Sequence, residues 1–190
     1  MFNKVHRKLT GMAAIVILVS LLLPAAGQSA MDALGGSLIQ ATPFDHKLMM
    51  AGGFETRFAG IVSGTSLPSS DGLFLQAHSI RYVADPVQQD HWQTPEETQA
   101  RWAGDCEDKA VWLFAQLKKS GYSNVRLVVG RYRSLDKNYH VWVTMADDSG
   151  HILILDPTAQ RRVWKNTDFG QEYYKALYSF DGFNRYRHTR

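Results

Sequence analysis

The chain has 190 residues, 45% hydrophobic and 12% aromatic, with 21 Lys and Arg against 18 Asp and Glu. Its formal charge of +3 comes from the N-terminal end: apart from residues 1–27, which hold Lys4, Arg7 and Lys8, basic and acidic residues balance at 18 each. A neutral domain carries no electrostatic footprint for nucleic acid, and the roughly 160 residues that follow suffice for one domain with its own core.

Residues 1–27 read as a Sec-type signal, with a basic start, an apolar run over 11–23 and a small-residue exit at 24–28. Cleavage is expected after Gly27. The apolar run is short for a membrane span and no second one follows, so no stable membrane insertion is expected after cleavage and the location is periplasmic or secreted. An uncleaved N-terminal anchor is the alternative. The chain has a single cysteine, Cys106. In an oxidising compartment a lone thiol is either buried and inert or kept for its reactivity.

Residues 28–72, rich in Gly, Ser, Thr and Met, are expected to form a partly irregular extension ahead of a domain over 73–190. The apolar runs over 73–82 fit strand or helix equally, and Asp85-Pro86 closes them with a turn. Helix signals are clear at Thr94-Pro95-Glu96-Glu97, where Thr94 caps, Pro95 takes the first helical position and Glu97 reaches back. A second helix starts at Asp105, with Cys106, Ala110, Leu113, Phe114 and Leu117 on one stripe and Gly121 as its stop.

The period then changes to two. Residues 125–129 form a candidate inner strand, and residues 139–144 alternate, placing His140, Trp142 and Thr144 on one face. Asp147-Asp148-Ser149-Gly150 turns the chain into a strand over 151–156, and counting back along this hairpin sets His140 opposite residues 156–158, within reach of Asp156. Trp164, Phe169, Tyr173, Tyr174, Phe180, Phe183 and Tyr186 supply bulk for a sheet edge or cleft wall and receive no chemistry. The basic end, residues 185–190, is expected to be solvated.

These positions suit thiol chemistry. A helix N-terminus favours a thiolate at Cys106, His140 serves as base and then acid to the leaving amine, and Asp156 fixes its tautomer. Backbone N–H groups at Cys106 are the expected oxyanion donors. Against this, Asp105, Glu107 and Asp108 surround the sulfur with negative charge. Either they act as cap and first-turn charges, or they converge on a cation, for which an all-oxygen set suits Ca²⁺ better than Zn²⁺. His78, His91 and His151 are rival bases without an acidic neighbour strand.

The stretch Asp90-His91-Trp92-Gln93-Thr94-Pro95-Glu96-Glu97, then Gly104-Asp105-Cys106-Glu107-Asp108-Lys109-Ala110, and later His140 and Asp156, resembles the bacterial transglutaminase-like cysteine proteinases over residues 72–160. The resemblance implies an α+β, papain-like core in which the helix carrying Cys106 packs on an antiparallel sheet carrying His140 and Asp156. It implies nucleophile, base and orienter roles for these three. The best-known members are periplasmic, calcium-dependent proteases that release surface adhesins by cutting near small residues. By that likeness Asp105, Glu107 and Asp108 fall at calcium-ligand positions, and the substrate is a protein or peptide of the cell envelope. The surroundings of His140 and Asp156 look closer to the wider transglutaminase-like superfamily. The expected function is an exported thiol hydrolase acting through a thioester; an acyltransferase and a non-catalytic binding module are the alternatives.

Overall fold

The computed structural model describes residues 34–52, 68–133, 137–165 and 173–189. The expected signal, residues 1–27, lies outside them, as does part of the 28–72 extension. No helix among the described residues is long and apolar enough to cross a membrane.

In chain order the elements are β1 (Ser37–Ile39), α1 (Asp45–Met50), α2 (Ser70–Ser79), β2 (Arg81–Tyr82), α3 (Pro95–Arg101), β3 (Ala103–Gly104) and α4 (Cys106–Lys119). The strands β4 (Val125–Tyr132), β5 (His140–Ala146), β6 (Ile152–Leu155), β7 (Trp164–Lys165), β8 (Tyr174–Phe180) and β9 (Arg185–Arg187) follow. Seven strands form one antiparallel sheet in the order β1-β9-β8-β4-β5-β6-β7, and β2 pairs with β3 in a small parallel ribbon. The fold is α+β.

Helix α4 lies across the centre of this sheet. Val125, Leu127, Val129, Val141, Val143 and Leu155 share one buried cluster with Ala110, Leu113, Phe114 and Leu117 of the helix. Its far side is covered as well, because α2 and α3 pack on it, and Val111, Trp112 and Ala115 are buried too. The single stripe read from the sequence is therefore half of the contact: a helix sandwiched between layers buries nearly its whole circumference. The opposite sheet face carries a smaller cluster of Val128, Trp142, Ile154 and Tyr174.

The ambiguous run over 73–82 divides. Ser69 Oγ accepts from Gly72 N at 3.1 Å and starts α2, which buries Leu73, Phe74 and Ala77, and the chain extends only at β2. Two expectations change. Phe44, Leu48 and Ala51 of the supposed extension belong to the main core, and β1 is a strand of the sheet, so packing crosses the boundary drawn at residue 73. The basic end is not a loose tail: β9 pairs with both β1 and β8, and Arg185 Nε meets Asp45 Oδ1 at 3.0 Å. Alternation in Arg185-Tyr186-Arg187 lets Tyr186 take a cation–π contact from Arg126, 3.7 Å from its ring centre, while both arginines keep their charge near solvent.

Candidate active site

The loop before α4 is built around one carboxylate. Helix α3 has the expected reciprocal cap, Thr94 Oγ1 accepting from Glu97 N at 3.1 Å and Glu97 Oε2 from Thr94 N at 2.7 Å. Trp102, in the left-handed conformation (φ 46°), ends it, and β3 delivers the chain to Asp105 at the N-cap of α4. Asp108, one turn in, folds back: Oδ1 accepts from Gln93 N (2.8 Å), and Oδ2 from Gln93 Nε2 (2.6 Å) and Asp105 N (3.2 Å). This return is possible because residue 104 is glycine; a Cβ there would stand 2.4 Å from Asp108 Oδ2. Gly104→Ala is expected to push Asp108 out of these bonds and to cost about 2 kcal/mol in a urea melt. An unchanged midpoint would show that the loop tolerates the displacement.

Cys106 is the first residue of α4 and half-buried. Its Sγ lies 3.0 Å from Glu107 Oε2, as donor, and the backbone of Val141 lies close enough to the sulfur to favour its anion. The second contact ties the thiol to β5 at the residue after His140. Burial, and after it the charge and hydrogen bond of Glu107, push the thiol well above its ordinary range. The site holds a thiol that donates its proton to an acidic side chain.

His140 opens β5 and Asp156 follows β6. The hairpin register, Val143 opposite Leu155 and Ala146 opposite Ile152, brings them together, with His140 Nε2 2.7 Å from Asp156 Oδ2. Asp156 is fully buried and the His140 side chain 14% exposed. Burial raises the Asp156 carboxyl, but the hydrogen bond and charge of His140, with the Ala159 and Thr158 N–H groups, hold it below the ordinary carboxylate value. The imidazole is walled by aromatic rings, Tyr132 at 5.6 Å and Trp142 at 6.1 Å between centres. Opposite it on β4 stands Gly130, where a Cβ would meet Lys175 O at 2.2 Å and Trp142 Cη2 at 2.5 Å; a larger residue would displace that wall.

The acidic surroundings of the thiol converge. Asp85, Asp90 and Glu107 each bring a carboxylate oxygen to within 4.8 Å of the others. Asp90 also pairs with Lys47 and accepts from Trp92 Nε1. Of the three residues read from the sequence as calcium ligands, Glu107 is in this group. Asp105 is buried beside it and hydrogen-bonded to Glu107, with its Oδ1 lacking any partner. Asp108 borders the group with both oxygens taken up by the contacts above. Burial, then the bond and charge of Asp105, push Glu107 up to about 9; burial likewise lifts Asp108 to about 6 and raises Asp105. Such displaced carboxyls at a buried cluster are what a divalent cation relieves. Asp85 and Asp90 escaped the sequence reading because they lie 17 residues or more before Glu107 in a loop without periodicity.

The rival histidines have partners of their own. His78 Nδ1 is 3.1 Å from Pro157 O, His91 is an exposed neighbour of Glu97, and His151 caps its hairpin turn with Asp147 at 3.2 Å. Trp92 is a core residue, stacked on Phe44, and Trp102 is partly buried against Trp112.

No family model and no curated protein matches the chain. Solved structures do. Legionella pneumophila LapG in an EGTA-treated form superposes with a TM-score of 0.56 at 18% identity, covering 87% of this chain and 86% of that one. The calcium-bound form of the same protein gives 0.54 at 18% identity, covering 87% and 89%. The shared fold extends over nearly the full length of both chains.

Proposed function

We propose that this chain, which has the fold of the transglutaminase-like cysteine protease LapG, is itself a cysteine peptidase of the cell envelope that uses Cys106 as nucleophile, His140 as base and acid, and Asp156 as orienter. The observation that carries the reading is the buried His140–Asp156 pair at 2.7 Å on the strand whose next residue, Val141, lies beside the Cys106 sulfur. The helix N-terminus supports Cys106 in this role, and the sheet register supports His140 paired with Asp156.

The chemistry runs through an acyl-enzyme. His140 takes the thiol proton, and the thiolate attacks the scissile carbonyl, forming a C–S bond and an oxyanion that the first-turn N–H groups of α4 receive. The imidazolium returns its proton to the departing amine as the C–N bond breaks, and water, deprotonated by His140, then cleaves the thioester and releases the acid.

The acidic group fits a calcium ion. Its donors are all oxygens, and Asp105 Oδ1 is buried and unpartnered. Glu107 and Asp105, closed by Asp85 and Asp90 and braced by Asp108, would hold the ion. Its charge would offset the carboxylates that raise the thiol pKa.

Alkylation by iodoacetamide tests the nucleophile. With calcium present, Cys106 is expected to react at pH 7 at least about 10-fold faster than a free peptide thiol, since such activation lowers a cysteine pKa by a unit or more. Equal rates would remove the catalytic reading. The substrate is a protein exposed in the same compartment as the signal-directed enzyme, and added amines are expected not to be incorporated.

A further inference from the structure

Asp156 has a third kind of partner, from the far side of the sheet. Tyr174 OH stands 2.9 Å from Asp156 Oδ2, the same oxygen that meets His140, and Gln160 Nε2 stands 2.7 Å from Tyr174 OH. Tyr174 opens β8, and Asp156 follows β6; β4 and β5 lie between them, so the contact passes over the end of the sheet. All three side chains are buried.

The direction of this chain is fixed by chemistry. Burial and the charge of Asp156 push the Tyr174 phenol far above its ordinary range, so the hydroxyl keeps its single proton. Facing an anion, it must donate to Asp156. Its own oxygen then needs a donor, which orients the Gln160 amide with its NH₂ toward Tyr174; Gln160 Oε1 is accordingly left buried and without a partner. Asp156 Oδ1 is occupied by Thr158 N at 2.9 Å and Ala159 N at 3.0 Å. Every donor around the carboxylate thus requires it to stay an acceptor.

We infer that Tyr174, set by Gln160, is a positioning residue for the His140–Asp156 pair, which turns the Cys-His-Asp set into a four-member relay reaching the opposite sheet face. The inference rests on the peptidase reading for its catalytic meaning and on geometry for its structural one. Because Asp156 can only accept, neutral His140 carries its proton on Nε2 and presents Nδ1 as the basic nitrogen. Because Tyr174 shares Oδ2, the carboxylate is held from rotating and its pull on the imidazolium is moderated. The rings reinforce this: Tyr174 packs on Tyr132 at 5.1 Å and on Trp142 at 5.2 Å, the two walls of the imidazole.

Tyr174→Phe keeps the ring and removes only the donor. With a peptide substrate, kcat is expected to fall about 10-fold at unchanged KM, and the acid limb of the pH profile to move up by about half a pH unit, since an undivided Asp156 favours the imidazolium more. Gln160→Leu, which frees the hydroxyl to turn, should move both readouts in the same direction, and the double variant should match Tyr174→Phe rather than add to it. A loss of folded protein alone would lower the amount of enzyme without moving the limb. Ring ¹⁵N signals of His140 give a readout independent of turnover: the wild type should show the Nε2–H form, with its bonded proton shifted downfield in Tyr174→Phe. A wild-type protein without hydrolysis removes the peptidase reading and leaves the ring signals to decide the relay. Unchanged ring signals, or superimposable pH profiles in an active enzyme, overturn it.

Discussion

Cys106→Ser is expected to lose peptide hydrolysis by at least about 10³-fold while the protein melts within about 2 °C of the wild type. The size follows from what nucleophile removal costs in enzymes whose residues act as a unit. The unchanged melt follows from the position: Cys106 is half-buried at the first residue of α4, outside the apolar cluster that holds the helix to the sheet, and serine is nearly isosteric. Activity assayed on a casein-type substrate, with circular dichroism on the same sample, checks both. Retained hydrolysis in a folded Cys106→Ser protein would mean that another group performs the attack.

The second large effect concerns calcium. At about 100 times its dissociation constant the ion is expected to raise the melting temperature of EGTA-treated protein by roughly 5–10 °C, as binding to the folded state alone contributes about 2.7 kcal/mol. The gain should grow with pH. Glu107 is raised to about 9 from an ordinary 4.5, so its contribution to stability is fully present below pH 4.5 and is lost as pH rises through 9. A bound calcium ion would displace the proton and remove that loss, so its effect is expected to be small at pH 5 and large at pH 8. Glu107→Gln should abolish the calcium-dependent shift. A melt unaffected by both EGTA and this substitution would leave the carboxylates as helix-end charges.

Local sequence carried much of the site because the relevant elements are short-range objects. The cap at Thr94-Pro95-Glu96-Glu97 needs only four residues and formed as read. The His140–Asp156 contact was legible because one hairpin sets its register, and a hairpin is counted from its turn. Alternation over 139–144 likewise placed His140 and Trp142 on one face, and their rings do stack, 24° from parallel.

What escaped reading was set by contacts distant along the chain. Asp85 and Asp90 join Glu107 because α3 packs on α4 and carries the preceding loop over the helix start, and neither carboxylate has a spacing that announces it. The all-round burial of α4 depends on a second layer, α2 and α3, whose contacts leave no period in the helix itself. Tyr174 looked like bulk in an aromatic-rich segment; its role arises because the antiparallel pairing of β4 with β8 sets Tyr132 opposite Tyr174 at the sheet end where Asp156 lies.

By itself, then, the sequence determined the helix that Cys106 opens, the hairpin and the meeting of His140 with Asp156, since capping, period and turn chemistry act over fewer than about twenty residues. Tertiary structure alone decided which carboxylates crowd the thiol, how far its proton is held, and what stands behind Asp156. Those are matters of burial and of which strand lies beside which, and electrostatic energy depends on distance in space, which sequence separation does not encode.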